Sequence, residues 1–280
     1  MRTGLRATAN VLKALALLLG FAGVVTAVGW WLGGVGIAAL FALAGLLMAG
    51  TAWWYGPRIL LASLGARELS LAESQVLHTT AERLAAAASV ARPRLFLLPD
   101  GHPRALAVGR GASASSLAVS QGLLGLLPPA ELEGVLAHEL ARARHRDVAV
   151  ETPVVLVAGW LLEASRIGGF LERALLFVLG PVAASVMHVL LSPRRVFAAD
   201  ALAAAACGTP HGLADALVRL EQAQELVSFQ ASPVTEPLYT VNPFSDEGIA
   251  VLFETHPPIG ERVERLRALD PEWRERLLAS

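Results

Sequence analysis

Charge is missing from two long stretches near the start of this chain, and the elements follow from that. Ala14 to Trp31 (ALALLLGFAGVVTAVGWW) and Val35 to Tyr55 (VGIAALFALAGLLMAGTAWWY) are uncharged apolar runs of 18 and 21 residues. Each is long enough to cross a bilayer core of about 30 Å at about 1.5 Å per residue. Only Leu32, Gly33 and Gly34 separate them, so residues 1–57 are expected to form a membrane hairpin. The pairs Trp30/Trp31 and Trp53/Trp54 fall at the ends of the runs, where amphipathic rings settle at membrane–water interfaces. Arg2, Arg6 and Lys13 precede the first run and Arg58 and Arg67 follow the second, which by the positive-inside rule sets both ends in the cytoplasm. A cleaved signal peptide ending near Val25-Thr26-Ala27 is the competing expectation; the second full run speaks against it.

From residue 58 to 280 the pattern is that of a folded domain. Glu68 to Val90 has helical spacing. Pro93 to Ser120 (PRLFLLPDGHPRALAVGRGASASSLAVS) breaks into short apolar pieces divided by Pro-Asp-Gly and Gly-Arg-Gly, the mark of a small strand meander. Pro128 and Pro129 open a helix that runs to about Asp147, since the first turn of a helix has no use for the missing N–H. A second apolar stretch, 152–191, is interrupted by Glu163, Arg166, Glu172 and Arg173. Its first piece, Thr152 to Leu162, is too short to span a bilayer alone, whereas Ala174 to Leu191 is long enough with Pro181 as a kink. Together they are expected to make a second hairpin, in the membrane or buried in the domain. Helices at Arg194 to Cys207, at Pro210 to about Val227 with Thr209 as N-cap, and at Pro258 to Leu269 complete the chain. The expected fold class is mainly α with a small β meander (α+β), plus transmembrane helices.

Composition supports the membrane expectation: 54% of the 280 residues are hydrophobic and 17% charged, too apolar a balance for an ordinary soluble domain. The net charge of -1 removes any general attraction to nucleic acid, so a lipid bilayer is the expected partner instead. The single cysteine, Cys207, excludes an internal disulfide and the cysteine-rich zinc sites. A metal site in this chain would have to be built from histidine and carboxylate.

One stretch carries such chemistry. Val135 to Asp147 reads VLAHELARARHRD, beginning like the zinc-protease helix H-E-x-x-H but with Arg142 where the second histidine belongs. Two imidazoles one helical turn apart can grip a tetrahedral ion while the glutamate beside the first polarises the bound water. Arg142 cannot take part, because a guanidinium is always protonated and has no lone pair to offer. His145 lies two turns from His138, roughly 10 Å along the axis against zinc–nitrogen bonds of about 2.0 Å, and is better placed as a cation at the helix C-terminus. Glu139 falls in the middle of the apolar stripe made by Leu132, Val135, Leu136, Leu140 and Ala143, so its carboxylate is buried or lines a cleft.

The segments PRLFLLPDGHPRALAVG, LAVSQGLLGLLPPAELEGVLAHELARARHRD, SPRRVFAADALA and NPFSDEGIAVLFETHPPIGERVERL follow one another at distances that resemble the HtpX-type membrane zinc metallopeptidases, relatives of the CAAX prenyl endopeptidases. The resemblance covers nearly the whole chain, the N-terminal hairpin and the later apolar insertion included. It implies a zincin-like domain in which two histidines of H-E-x-x-H and a glutamate opening E-[FY]-x-A-D hold zinc. Aligned on Phe197, Ala199 and Asp200, this chain has Val196 at the glutamate position, so His138 is the one ligand position retained. Glu139 keeps the general-base position, Asp200 that of the carboxylate orienting the first histidine, and His256 lies in Thr255-His256-Pro257-Pro258, which resembles the family's T-H-P-P block near the cleft. Arg104 stands where the family usually has asparagine.

With Arg142 and Val196 at two of three ligand positions, no cofactor is expected, and the expected function is that of a membrane-anchored pseudopeptidase with a binding, regulatory or quality-control role. Zinc enters only under the alternative, an active membrane metalloendopeptidase with altered ligands. A structural subunit of a membrane complex is the third expectation. Losing zinc (+2) and a ligand carboxylate while gaining a guanidinium leaves the local sum at -1, counted over Arg142, Glu139 and Asp200; Arg142 is therefore expected to pair with Glu139 or Asp200 unless it turns out to solvent. Unfolded or membrane polypeptides and an active family member are the expected protein partners. The expected location is the inner (plasma) membrane, multi-pass, with the peptidase-like domain facing the cytoplasm.

Overall fold

The computed structural model describes residues 2–166, 172–191, 193–226, 235, 238, 240, 255–270 and 272. Helix α1, Arg2–Ser63, is two helical arms in one element: Gly33 and Gly34 leave helical geometry inside it, and Gly34 takes φ +66, open to glycine at no steric cost. The arms fold back on each other so closely that a Cβ on Gly45 would lie 3.0 Å from the Cα of Ala22. Most of the large side chains on these arms face outward, Trp31 and Val35 being 84% and 70% exposed. Such an apolar surface needs a covering that the folded domain does not supply.

The sheet has four strands: β1 Arg67–Glu68, β2 Arg94–Leu98, β3 Ala105–Gly111 and β4 Ala114–Ser120. Their order is β1-β2-β4-β3. The expected meander is thereby corrected to a mixed sheet: β2 runs parallel to β4, with Arg94 opposite Ser116, while β3 hairpins onto β4 as the outer strand. The two-residue period divides the sheet's side chains between two cores. Leu95, Leu97, Ala105, Ala107, Leu117 and Val119 enter the core shared with the domain helices. Leu98, Leu106, Val108 and Ala118 face the opposite way, onto Leu60 and Leu61 of α1 and Val155 and Leu156 of the later insertion.

Helix α2, Gln75–Ala87, is capped by Ser74, whose side chain accepts from the Leu77 N–H; the helical spacing read from Glu68 onward starts only there, because Arg67 and Glu68 are drawn into the sheet beside β2. After α3, Gln121–Leu126, comes α4, Pro129–Arg144, with Pro128 as N-cap and His145 as C-cap. The insertion forms α5, Val148–Arg166, and α6, Glu172–Leu190. Helix α5 thus begins four residues before Thr152 and is 19 residues long, which corrects the expectation of a short first piece; Glu151, which precedes that piece, lies inside it. Val150, Val154 and Ala158 pack on Ala183, Ala184 and Met187, making the pair an antiparallel hairpin. It lies against α1: Phe21 and Trp160 stack with ring centroids 5.6 Å apart, and Asn10 donates to the His145 carbonyl and to Asp147 Oδ1. Helices α7, Arg194–Cys207, α8, His211–Leu226, and α9, Ile259–Arg267, close the domain over α4. The segment from Asn242 to Glu254, part of the family-like NPFSDEGIAVLFE stretch, lies outside the described residues.

Candidate functional site

Helix α4 supplies three residues on two adjacent turns that its amphipathic pattern buries: His138 and Glu139 are 0% exposed and Arg142 2%. A buried charge persists only when other groups replace its water. Glu139 and Arg142 have partners drawn from several elements, and His138 lies against Asp200 of α7.

Arg142 turns inward, not to solvent. Its Nη1 donates to Glu139 Oε2 at 2.9 Å and Oε1 at 3.2 Å and to the Leu238 carbonyl at 2.8 Å, while Nη2 donates to Glu151 Oε2 at 2.5 Å. Glu151, fully buried on α5, also accepts from Arg195 of α7, whose other nitrogen donates to Thr255 Oγ1 at 3.1 Å. The alternative pairing expected from the sequence, Arg142 with Asp200, does not occur. Asp200 is gripped bidentately by Arg262 of α9, at 2.9 and 2.8 Å, and its Oδ1 lies 2.7 Å from His138 Nδ1, off the line of a straight hydrogen bond. The resulting balance is three guanidiniums (Arg142, Arg195, Arg262) against three carboxylates (Glu139, Glu151, Asp200). This replaces the three-residue sum of -1 drawn from sequence, which omitted Glu151, Arg195 and Arg262.

Glu139 has no spare lone pair of consequence. Besides Arg142 it accepts the Ala107 N–H of edge strand β3 at 2.8 Å and the Thr240 hydroxyl at 2.7 Å. Three donors thus occupy this carboxylate through four hydrogen bonds, and none of its contacts leaves it facing open solvent.

Asp200 shows what the network does electrostatically. Burial opposes its ionisation, but the Arg262 charge and then His138 outweigh that and hold the carboxyl far below its ordinary value near 3.8. A depressed carboxylate contributes stability that is fully present above the unfolded-state value and is lost as pH falls toward the folded-state one. The stability advantage of the wild type over Asp200→Asn is therefore expected to be constant at neutral pH and to shrink on acidification below about pH 4. Unfolding midpoints of both proteins across pH 3 to 7 check it; a gap that widens in acid would contradict the sign.

The other sequence-predicted residues fall as follows. Val196 is buried one turn before Asp200 on α7 and offers no donor atom. Its neighbour Arg195 meets Glu151, and Glu151 meets Arg142, so α7 runs antiparallel to α4 with Val196 beside the Arg142 turn. His256 is buried, and the adjacent Thr255 ties that segment to Arg195. Arg104, buried at the start of β3, pairs with Asp100 and donates its backbone N–H to Ser120 Oγ, so it pins the 100–104 turn. His145 caps α4 with its backbone.

The donor set does not fit a tetrahedral zinc ion. Among the described residues no three His, Cys, Asp or Glu side chains converge to hold a metal. His138 Nε2, buried with no hydrogen-bond partner among the described residues, is a ligand nitrogen in search of company; Arg142 and Val196 cannot provide it.

Residues 71–270 match Peptidase family M48. The Protease HtpX homolog of Pelotomaculum thermopropionicum is 36% identical over 278 residues, covering 93% of this chain and 99% of that protein. The Protease HtpX homolog of Acidiphilium cryptum is 37% identical over 278 residues, with 92% and 96% covered. The crystal structure of S. mikatae Ste24p aligns at 16% identity and a TM-score of 0.49 over 95% of this chain, which spans 66% of that one. The match over 71–270, together with relatives this similar along almost their entire lengths, makes the chain a member of peptidase family M48.

Proposed function

We propose that this chain is a membrane-anchored, metal-free pseudopeptidase: a member of the family that keeps the zincin-like domain, has exchanged its ion for Arg142, and serves a binding, regulatory or quality-control role. One observation carries this above the others. Arg142 is buried and held by Glu139, Glu151 and the Leu238 carbonyl, so a fixed cation already sits where the H-E-x-x-H pattern places its second ligand. A guanidinium can help stabilise an oxyanion but cannot lower the pKa of a water molecule toward 7 as zinc does. Hydrolysis of unactivated peptides loses its nucleophile.

The anchoring part rests on α1, whose stretch Thr8–Ser63 is long and apolar enough to cross a membrane, and on the exposed apolar side chains of its two arms. With the turn at Gly33 and Gly34, two crossings with both ends in the cytoplasm of a bacterial-type inner membrane fit the Arg and Lys placement, and the α5–α6 hairpin beside α1 is proposed to enter the same bilayer. Unfolded or membrane polypeptides and an active relative are the proposed partners.

The second reading, an active zinc endopeptidase with altered ligands, has in its favour the relatives named as proteases and the His138 Nε2 that has no hydrogen-bond partner among the described residues. Elemental mass spectrometry of the detergent-purified protein, run beside cleavage of an unfolded substrate by wild type and Glu139→Gln, separates the two. The expected outcome is far less than one zinc per chain and no cleavage by either protein. Stoichiometric zinc with activity that the variant loses would sink the pseudopeptidase.

A further inference from the structure

Gly109-Arg110-Gly111, which the sequence marks only as a divider between strands, builds a bulge. Gly109 pairs with Ser115 and Gly111 with Ala114, leaving Arg110 as the extra residue between them. Such a bulge re-aims a side chain. Both flanks require glycine: a Cβ on Gly109, at φ +156, would lie 2.3 Å from the Ala114 carbonyl oxygen, and one on Gly111, at φ +118, would lie 2.7 Å from Arg146 Cγ. Two arginines therefore meet at one hairpin end. Arg110 extends over the Trp54 ring of α1, 4.6 Å from its centroid, while the Arg146 side chain runs across Gly111.

This hairpin end lies at the mouth of the apolar arms. From the turn at Gly33 to Trp54 the helix rises about 30 Å, the depth of a bilayer core, and Arg58 stands one turn further along on the Trp54 face. Leu47 and Leu43, two and three turns back on that face, are exposed like Trp54 itself. Charge pairing here differs from the rest of the domain. Arg67, Arg83, Arg92, Arg94, Arg219 and Arg265 are exposed and each is paired with a carboxylate. The side chains of Arg58, Arg110 and Arg146 have neither an ion pair nor a hydrogen bond among the described residues, and the sequence has no Asp or Glu before Glu68. A guanidinium laid on an indole with its N–H fork unused is suited to phosphate oxygens.

We propose that Arg110, held on Trp54 and flanked by Arg58 and Arg146, binds the phosphate of an anionic membrane phospholipid whose acyl chain lies along Leu47 and Leu43. The apolar track below the cations selects a lipid over a free anion. The inference rests on the proposed embedding of α1 in a bilayer and is independent of the metal-free reading.

The test uses full-length protein in detergent, with dioleoyl phosphatidylglycerol and dioleoyl phosphatidylcholine as probes and native mass spectrometry to count retained lipid. Wild type is expected to hold phosphatidylglycerol roughly tenfold more tightly than phosphatidylcholine. Arg110→Gln should weaken phosphatidylglycerol binding roughly fivefold, the contribution of one cation near an anionic surface, and leave phosphatidylcholine unchanged. Trp54→Leu keeps an apolar side chain but removes the ring beneath the guanidinium, for an expected loss of roughly threefold. Arg219→Gln, which removes the same charge from α8, should change nothing, and inorganic phosphate should displace the lipid only in large excess because it has no chains to bury. Equal binding of the two lipids by wild type, a preference that survives Arg110→Gln and Trp54→Leu, an equal loss in Arg219→Gln, or displacement by equimolar inorganic phosphate would overturn the proposal. Carbonate extraction of membranes carrying the protein reports separately on anchoring. Release of wild type into the soluble fraction refutes the embedding of α1, whereas protein that stays in the membrane without a lipid preference refutes the phosphate site alone.

Discussion

Replacing Arg142 with methionine is expected to cost about 3–5 kcal/mol of stability, the range for removing one partner of a buried ion pair and leaving the other charge behind. The expectation follows from what remains. Methionine fills much of the same volume but donates nothing, so Glu139 keeps the Ala107 N–H and Thr240 hydroxyl while losing its counter-charge, and Glu151 keeps Arg195 alone. Both carboxylates are fully buried, so no water compensates. For a chain of this size the unfolding midpoint should fall by on the order of 10 °C. Adding Glu139→Gln to Arg142→Met should recover part of the loss, because Glu139 is the carboxylate left without a counter-charge while Glu151 keeps Arg195; on wild type the same change should be destabilising, since it takes a carboxylate from Arg142. A drop of only a few tenths of a kcal/mol on Arg142→Met would mean that the guanidinium is solvated and that the site is not built around it. The sign inversion for Glu139→Gln between backgrounds is the sharper readout, since a purely steric role for Arg142 predicts no such coupling.

What the sequence made legible here was the family and the bounds of several helices; what stayed hidden was how the buried charges pair. Arg194 to Cys207 is a helix with the expected bounds, because Pro193 and Gly208 punctuate both ends. Glu139 lies buried, as an apolar stripe around a carboxylate requires. The sheet order was out of reach: β2 pairs in parallel with β4 across the intervening β3, and no turn residue encodes a pairing between Arg94 and Ser116. Glu151 drew no notice in the sequence, standing just before the apolar stretch that starts at Thr152. A lone carboxylate in VAVETPVVL is better taken as a request for a buried cation, and an arginine had just appeared nine positions earlier where a neutral histidine was expected. Arg262 left less of a trace. In IGERVERLR every charge looks solvated, and only the 1% exposure beside Val263 and Leu266 shows which of the arginines faces inward. Thr240 lay in a loop with no period at all, so its bond to Glu139 exists only in three dimensions.

The double variant Arg142→His, Val196→Glu is expected to bring zinc from a trace to about one ion per chain, and charge explains why both changes are needed. Removing the guanidinium subtracts one positive charge and adding the glutamate adds one negative charge, so the metal-free double variant carries two uncompensated negative charges in a closed site; a bound Zn²⁺ restores the balance. Geometry allows the ligands to meet: His138 is already held against Asp200, and Val196 lies one turn from Asp200 on the helix that runs antiparallel to α4, beside position 142. Glu151 does not become a stranded charge, because Arg195 remains with it. The metal-free double variant should thus be less stable than wild type, and added zinc should raise its midpoint by several degrees while leaving the wild-type midpoint unmoved. Arg142→His alone completes only two ligands, and Val196→Glu alone places a carboxylate next to a retained guanidinium that it will pair with, so neither single variant should respond to zinc. A double variant that stays zinc-insensitive would show that α7 and α4 stand too far apart to complete the ligand set. A zinc-dependent rise confined to the double variant would identify Arg142 as the group that holds an otherwise intact metal site closed.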